Sequence, residues 1–405
     1  MKINNEIKII ILYSIYFVSL LIALNHVFFH GLLDSRHFIN WDAGYYFRIK
    51  NNGYEGFNVA FFPLFPMIWK GLSFSIIGIV FFNAILFLTS FYILIRVLKT
   101  TTWETILYLS IPSFIFFYLP YTESIFFASS TLLFFGLKDR KKYLVATGLL
   151  LCTLSRPAFT VFIPAIIITE LLCETVNAKL FLRLGLYLAV TLVGLLIVGI
   201  IQYQYTGQWF EFFIAQHHWE NELQIPKFPL TSYASGLIVR LDGAAMLFGT
   251  IAGIILILLI FKSKSFKDII IQKEVVFSLC YLAGITFIVL IFRGGNLFSL
   301  NRFVFAVPFI IVVADFYFKR KITFSKKQLM FIFIIIFSFW LFFGSYGHIQ
   351  TLLKFFLLSV YLFLIAAIKS DNKYINKISI GLLIFTNLIF QIIFFIRFLN
   401  VGWVG

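Results

Sequence analysis

Apolar stretches of about 18 residues or more recur along this whole chain, each long enough to cross a hydrocarbon layer roughly 30 Å thick. They are plainest at 9–29, 72–98, 181–203, 237–261 and 378–398. Of the 405 residues 61% are hydrophobic and only 12% charged, whereas soluble domains average about 25% charged. Strand-like alternation of polar and apolar residues is almost absent, so helices rather than a closed barrel must satisfy the backbone. The expected fold is an all-α, polytopic transmembrane helical bundle forming one integral membrane domain over 1–405.

Thirteen candidate spans follow in order: 9–29, 72–98, 104–118, 123–137, 143–154, 158–173, 181–203, 237–261, 275–292, 303–318, 329–343, 350–368 and 378–398. Eleven or twelve also fit, because 143–173 is either two short helices meeting near Arg156 or one tilted helix. The first run is too long for a signal-peptide core and no small-x-small cleavage site follows, so it reads as a retained span. The net charge of +16 does not point to nucleic acid, because the basic residues cluster in short breaks between spans. Placing the N-terminus in the cytoplasm puts most of them inside, including Lys138 to Lys142, Lys262 to Lys273, and Lys319 to Lys327. The opposite orientation contradicts the positive-inside rule. The two long hydrophilic segments, 30–60 and 204–236, then lie outside, and the outer face becomes the working face. Cys152, Cys173 and Cys280 sit in or beside apolar runs and read as small core residues.

The 30–60 loop leads into N-W-D-A-G-Y-Y-F-R-I-K-N-N-G-Y-E-G-F-N-V-A-F-F-P-L-F-P over residues 40–66. Ionisable groups at a bilayer edge are costly to keep, so function is sought there first. Trp41, Tyr45 and Ile49 recur at helical spacing, with Asn40 as the expected cap and Asp42 in the first turn. A helix dipole alone favours an acid there. Gly53 is expected at positive φ, and Pro63 and Pro66 are expected to fix the start of the second span.

The spacing W-D, Y-F, N-G-Y and A-F-F-P-L-F-P resembles the first extracytoplasmic loop of the GPI mannosyltransferase 2 family, which has bacterial relatives. Pro120-Tyr121-Thr122-Glu123-Ser124 is similar to a second element of that family. The resemblance covers about the first 160 residues and is generic beyond them apart from Arg302. It implies a multi-spanning glycosyltransferase of the GT-C class with Asp42 as catalytic base. A base is what the chemistry requires, since an acceptor hydroxyl must lose its proton as it attacks the anomeric carbon. Tyr46 and Arg48 on the same short helix join the substrate-binding candidates.

Glu123 is placed to bind sugar hydroxyls, to orient the surroundings of Asp42, or to pair with a cation; capping its own helix is the alternative. Arg156 and Arg302 sit at outer span ends. Guanidinium groups suit a lipid phosphate through bidentate hydrogen bonds, while snorkelling is the alternative; Arg240 and Arg293 are weaker candidates. His217 and His218 are candidates for sugar or phosphate contact, but adjacent histidines point about 100° apart on a helix and make a poor metal pair. No P-loop, GxGxxG, serine elbow or HExxH occurs.

By the resemblance, a polyprenyl-phosphate hexose donor would give its sugar, mannose in that family, with inversion to a glycolipid or membrane-associated glycan acceptor; the sequence itself does not show the sugar. No cofactor is required; a divalent cation bridging phosphate and an acid is compatible, but no ligand cluster demands one. The expected setting is a bacterial inner membrane with the site on its periplasmic face. Two other readings stay open: a surface-polysaccharide polymerase or ligase, and a lipid-linked sugar flippase or transporter. The last needs intramembrane charges lining a central cavity, and Lys354 alone is too few.

Overall fold

The computed structural model describes residues 5–219, 221–232, 237–261, 272–344 and 349–404. Lys262, Lys264 and Lys267 of the expected inner group lie outside the described residues. Among those described, the chain is helical with no strands. Eight helices are long and apolar enough to cross a membrane. They are α1 (Asn5–Val27), α4 (Ile76–Leu98), α9 (Ala178–Thr206), α11 (Leu237–Phe261), α12 (Lys273–Phe292), α15 (Lys326–Phe339, extended by a 3-10 turn to Phe343), α16 (Ile349–Ala367) and α17 (Lys373–Leu399). All but the more buried α12 leave a broad apolar flank uncovered: Ile22 of α1 is 62% exposed and Phe385 of α17 is 63% exposed. Water would penalise such a surface and lipid does not. The chain is an integral, multi-pass membrane protein.

Between the long helices lie shorter ones. These are α2 (Asp42–Asn52), α3 (Leu64–Gly71), α5 (Thr102–Leu109), α6 (Glu123–Lys138), α7 (Lys142–Ser155), α8 (Phe159–Cys173), α10 (Glu211–His218), α13 (Leu300–Phe305) and α14 (Pro308–Lys319). The 143–173 stretch is therefore two helices, α7 and α8, parted at Arg156. Two expected spans are broken. The stretch 104–118 divides into α5 and a 3-10 helix at Pro112–Tyr118, and 303–318 divides into α13 and α14. In each case a proline, Pro112 or Pro308, stands at the first position of the second piece, where its missing N–H and fixed φ start a helix but cannot continue one. The second span also starts later than expected. Pro63 and Pro66 open the short α3, and α4 begins only after Ser75, whose hydroxyl accepts from the Gly78 N–H.

The central helices pack closely through small residues. A Cβ on Gly148 of α7 would fall 2.8 Å from the Leu133 backbone of α6, so only glycine permits this approach. Gly249 of α11 likewise receives Thr286 of α12, whereas a Cβ on Gly253 would make only ordinary contact with Ala283. One end of the bundle is tied by charge. Glu170 of α8 meets Lys273 of α12 at 3.0 Å and pairs with Arg183 of α9, and Glu174 meets Lys273 at 2.7 Å. The residues from 40–66, 120–124 and 299–303 gather at the opposite end.

Candidate active site

Two short helices start this site, and each follows a backbone turn that an ordinary residue resists. Asp42 is the first residue of α2, preceded by Trp41 at φ 56°, ψ −127°. That combination costs about 1–3 kcal/mol for a bulky residue and persists only when the surroundings over-determine it. Trp403, beyond the end of α17, does part of this by meeting the Trp41 ring edge-on at 4.9 Å. Asn40, expected to cap α2, does not. Its amide donates to the carbonyls of His37 and of Phe398 on α17, at 3.0 and 2.9 Å, and so ties the loop to the last helix. Arg302 is the third residue of α13, which follows Ser299 at φ 65°. Gly53 closes α2 at φ 85°, as expected, and any Cβ there would also strike the Tyr205 ring.

The charges brought together form an alternating chain. Arg302 Nη1 lies 2.7 Å from Asp42 Oδ2, and Arg302 Nε lies 2.9 Å from Glu123 Oε1. Arg156 pairs with the same Glu123 oxygen. All four residues are buried, Glu123 completely. The pairs are close but incomplete. Arg302 Nε and Nη1 sit at ion-pair distance without a well-aligned hydrogen bond, and Arg156 Nη1 and Glu123 Oε2 have no hydrogen-bond partner. Buried donors of this kind are costly unless something completes them. The rings of Phe116, Tyr121 and Phe303 lie 5.3–5.5 Å from the Arg302 guanidinium, within cation–π range.

A second buried acid holds Arg302 in place from behind. Asp242 Oδ1 of α11 accepts from both the backbone N–H and the side-chain amide of Asn301, each at 2.8 Å, while Oδ2 accepts from Ser232 at 2.7 Å. Ser113 donates to Asn301 Oδ1 at 3.0 Å. The first turn of α13 is thus fastened to α11 and to the Pro112–Tyr118 helix.

In front of this chain lies a cavity of about 170 Å³. Three guanidinium groups line it, those of Arg156, Arg293 and Arg302, against one carboxylate, Asp42. The balancing acids Glu123 and Asp242 stand behind the wall, so the face offered to a ligand is cationic. Arg293 is held by Asn221 at 2.7 Å, by the Phe298 carbonyl and by the Phe298 ring at 3.6 Å. Tyr46, Phe61, Trp219 and Trp403 supply an aromatic lining, with Trp219 edge-on to Tyr45 at 5.5 Å.

Of the residues singled out from sequence, Asp42, Glu123, Arg156, Arg302 and Tyr46 come together here, although Glu123 does not line the cavity. Arg48 is exposed and lies over the Tyr45 ring at 4.5 Å. His217 is exposed and pairs with Glu222. The side chains of His218 and Arg240 lie outside the described residues. Trp219, Trp403 and Asp242 are not singled out from sequence, and Arg293, a weaker candidate there, lines the cavity beside Arg302. Asp242 had a signal, as an acid inside a long apolar helix; Trp403 had none.

Set against known protein families, curated proteins and solved structures, the chain matches none. The chemistry must come from the geometry. A cationic, aromatic-lined cavity at a bundle end suits an anionic ligand with a ring to stack, and Asp42 is the lining group able to take a proton. A divalent ion would find one lining carboxylate, enough only if a ligand phosphate supplied further oxygens.

Proposed function

We propose that this protein is a membrane glycosyltransferase that moves a hexose from a polyprenyl-phosphate donor to a lipid-linked or membrane-associated glycan. The resemblance to the GPI mannosyltransferase 2 family suggests mannose, a GT-C mechanism and inversion. The setting that fits is a bacterial inner membrane with the cavity on the periplasmic face, as the basic-residue partition suggests. The observation that carries the reading is the Asp42–Arg302–Glu123–Arg156 chain. It joins both motif segments to Arg302, nearly 180 residues later in sequence.

In this reading the acceptor oxygen attacks the anomeric carbon while the bond from that carbon to the phosphate oxygen breaks. The leaving lipid phosphate carries the electron pair, and Arg302, Arg156 and Arg293 stabilise the charge that develops on it. The acceptor proton goes to Asp42, the one carboxylate that lines the cavity. A donor phosphate drawing Arg302 toward itself would leave the Asp42 carboxylate free to meet the acceptor hydroxyl.

The transporter alternative asks for charges along a central cavity. The charges described here lie at a bundle end, and Lys354 is exposed near the start of α16. The deciding experiment is a radiolabelled transfer assay with purified protein, a panel of polyprenyl-phosphate sugars and membrane glycolipid acceptors. Transfer from one donor, lost in Asp42→Asn, is the expected result; no transfer from any donor would set the reading aside.

A further inference from the structure

A second polar cavity lies at the other end of the bundle. Its place is fixed by α17. Asn376 and Ile380, near the start of that helix, line this cavity, whereas Trp403, just beyond its end, lines the Asp42 cavity. From Asn376 to Leu399 the helix rises about 35 Å at 1.5 Å per residue, more than the hydrocarbon depth of a bilayer.

This cavity measures about 450 Å³ and has two unlike walls. One is basic, formed by Arg320, Lys321 and Lys369, and no aspartate or glutamate belongs to the lining. The other is apolar, formed chiefly by Trp103, Phe318 and Ile368. The frame is rigid. The Phe324 N–H donates to the Lys369 carbonyl at 2.7 Å and the Asp371 N–H to the Phe324 carbonyl at 3.1 Å. These bonds staple the α14–α15 linker to the α16–α17 linker.

Lys369 is the informative residue. Its ammonium donates to the carbonyls of Phe318 and Arg320, at 2.6 and 2.7 Å, and no ion pair to it occurs among the described residues. Burial pushes its pKa below the ordinary lysine value, opposed only by Glu104. The Glu104 carboxylate is itself engaged by the N–H and hydroxyl of Thr101, at 2.6 and 2.8 Å. The adjacent acid Asp371 is exposed and outside the lining. The wall therefore holds a fixed cation that two carbonyls and the Tyr317 ring solvate but no carboxylate among the described residues pairs with.

We propose that this cavity binds a phosphate anion, supplied as the headgroup of an anionic phospholipid in the leaflet facing that end of the bundle. The basic wall takes the phosphate, and the apolar wall beside Trp103 takes the start of the acyl chains; a free phosphate would leave that wall unused. The inference stands apart from the transferase reading and from either choice of orientation.

The test is a binding titration on the purified full chain in neutral detergent, followed by native mass spectrometry. The probes are short-chain phosphatidylglycerol, phosphatidylcholine with the same chains, and inorganic phosphate. Phosphatidylglycerol should bind at least about 10-fold more tightly than the other two. Lys321→Glu, an exposed linker change, should weaken it about 10-fold, while Lys141→Glu in a different basic loop should not. Equal binding of the two lipids, an unaffected Lys321→Glu variant, or an equal loss in Lys141→Glu would overturn the site. Inorganic phosphate binding as tightly as phosphatidylglycerol would overturn the lipid as its source.

Discussion

Arg302 Nη1 stands 2.7 Å from Asp42 Oδ2, and the two residues belong to the first turns of helices that each follow a positive-φ residue. The pair thus rests on two backbone turns that the surrounding packing must hold. Its partners explain how. Glu123 fixes the far side of the Arg302 guanidinium, Asp242 fastens the turn that carries it, and Trp403 braces the turn that carries Asp42. A cation held between two acids presents its remaining donors to the cavity in a fixed direction, which suits recognition of a planar array of phosphate oxygens.

Replacing Arg302 or Arg156 by lysine keeps the charge and removes the planar fork. Donor binding should weaken by about 1–3 kcal/mol, roughly 5- to 150-fold in affinity. Titration of each variant with a polyprenyl-phosphate sugar measures it. Full affinity in both variants would leave these arginines a purely structural role in the buried ion-pair chain.

Asp242 is expected to act through Arg302 rather than on substrate. Asp242→Asn can keep contacts to Asn301 and Ser232 by reorienting its amide, whereas Asp242→Leu strands the Asn301 N–H and amide in a buried site. The asparagine variant should keep expression and thermal stability. The leucine variant should lose about 1–3 kcal/mol of stability and bind donor more weakly. Equal behaviour of the two would remove the positioning role.

Much of this architecture could be read from sequence because its cause is local. An apolar run of bilayer length has one common solution, and every expected span overlaps helix in the structure, although only eight helices among the described residues, not thirteen, are long enough to cross. The two broken spans were also written locally, in Pro112 and Pro308, but run length masked them. Within the site, Asp42, Glu123, Arg156 and Arg302 stood out because ionisable side chains in apolar surroundings are expensive. Arg48 and His217 lie apart from that cluster, Arg48 over the Tyr45 ring and His217 against Glu222. Trp403 depends on the whole course of α17, which returns the C-terminal segment to the first loop; no neighbouring residue announces such a contact.

Orientation can be tested without any substrate. Cysteines introduced at Glu55 and Gln208 should react with a membrane-impermeant maleimide in intact cells. Cysteines at Asp139 and Lys321 should react only after permeabilisation. All four positions are exposed on the protein, so failure to label reports the membrane rather than burial. Labelling of Asp139 in intact cells would invert the bundle and move the Asp42 cavity to the cytoplasm.

The comparison of Asp42→Asn with Glu123→Gln separates chemistry from scaffolding. Both replace a carboxylate by an amide of nearly equal size. Asp42 lines the cavity, so its amide variant should fold, insert and bind donor while transfer falls roughly 10²- to 10⁴-fold. Glu123 is fully buried and shared by two guanidinium groups. Neutralising it leaves Arg156 without its acid in a buried setting, a loss on the order of 3–5 kcal/mol. Glu123→Gln should therefore unfold at a markedly lower temperature in detergent, and its remaining folded fraction should bind donor poorly. Transfer at the parental rate by Asp42→Asn, with a stable but inactive Glu123→Gln, would move the base to Glu123. Parental activity in both would exclude the transferase mechanism built on this cluster.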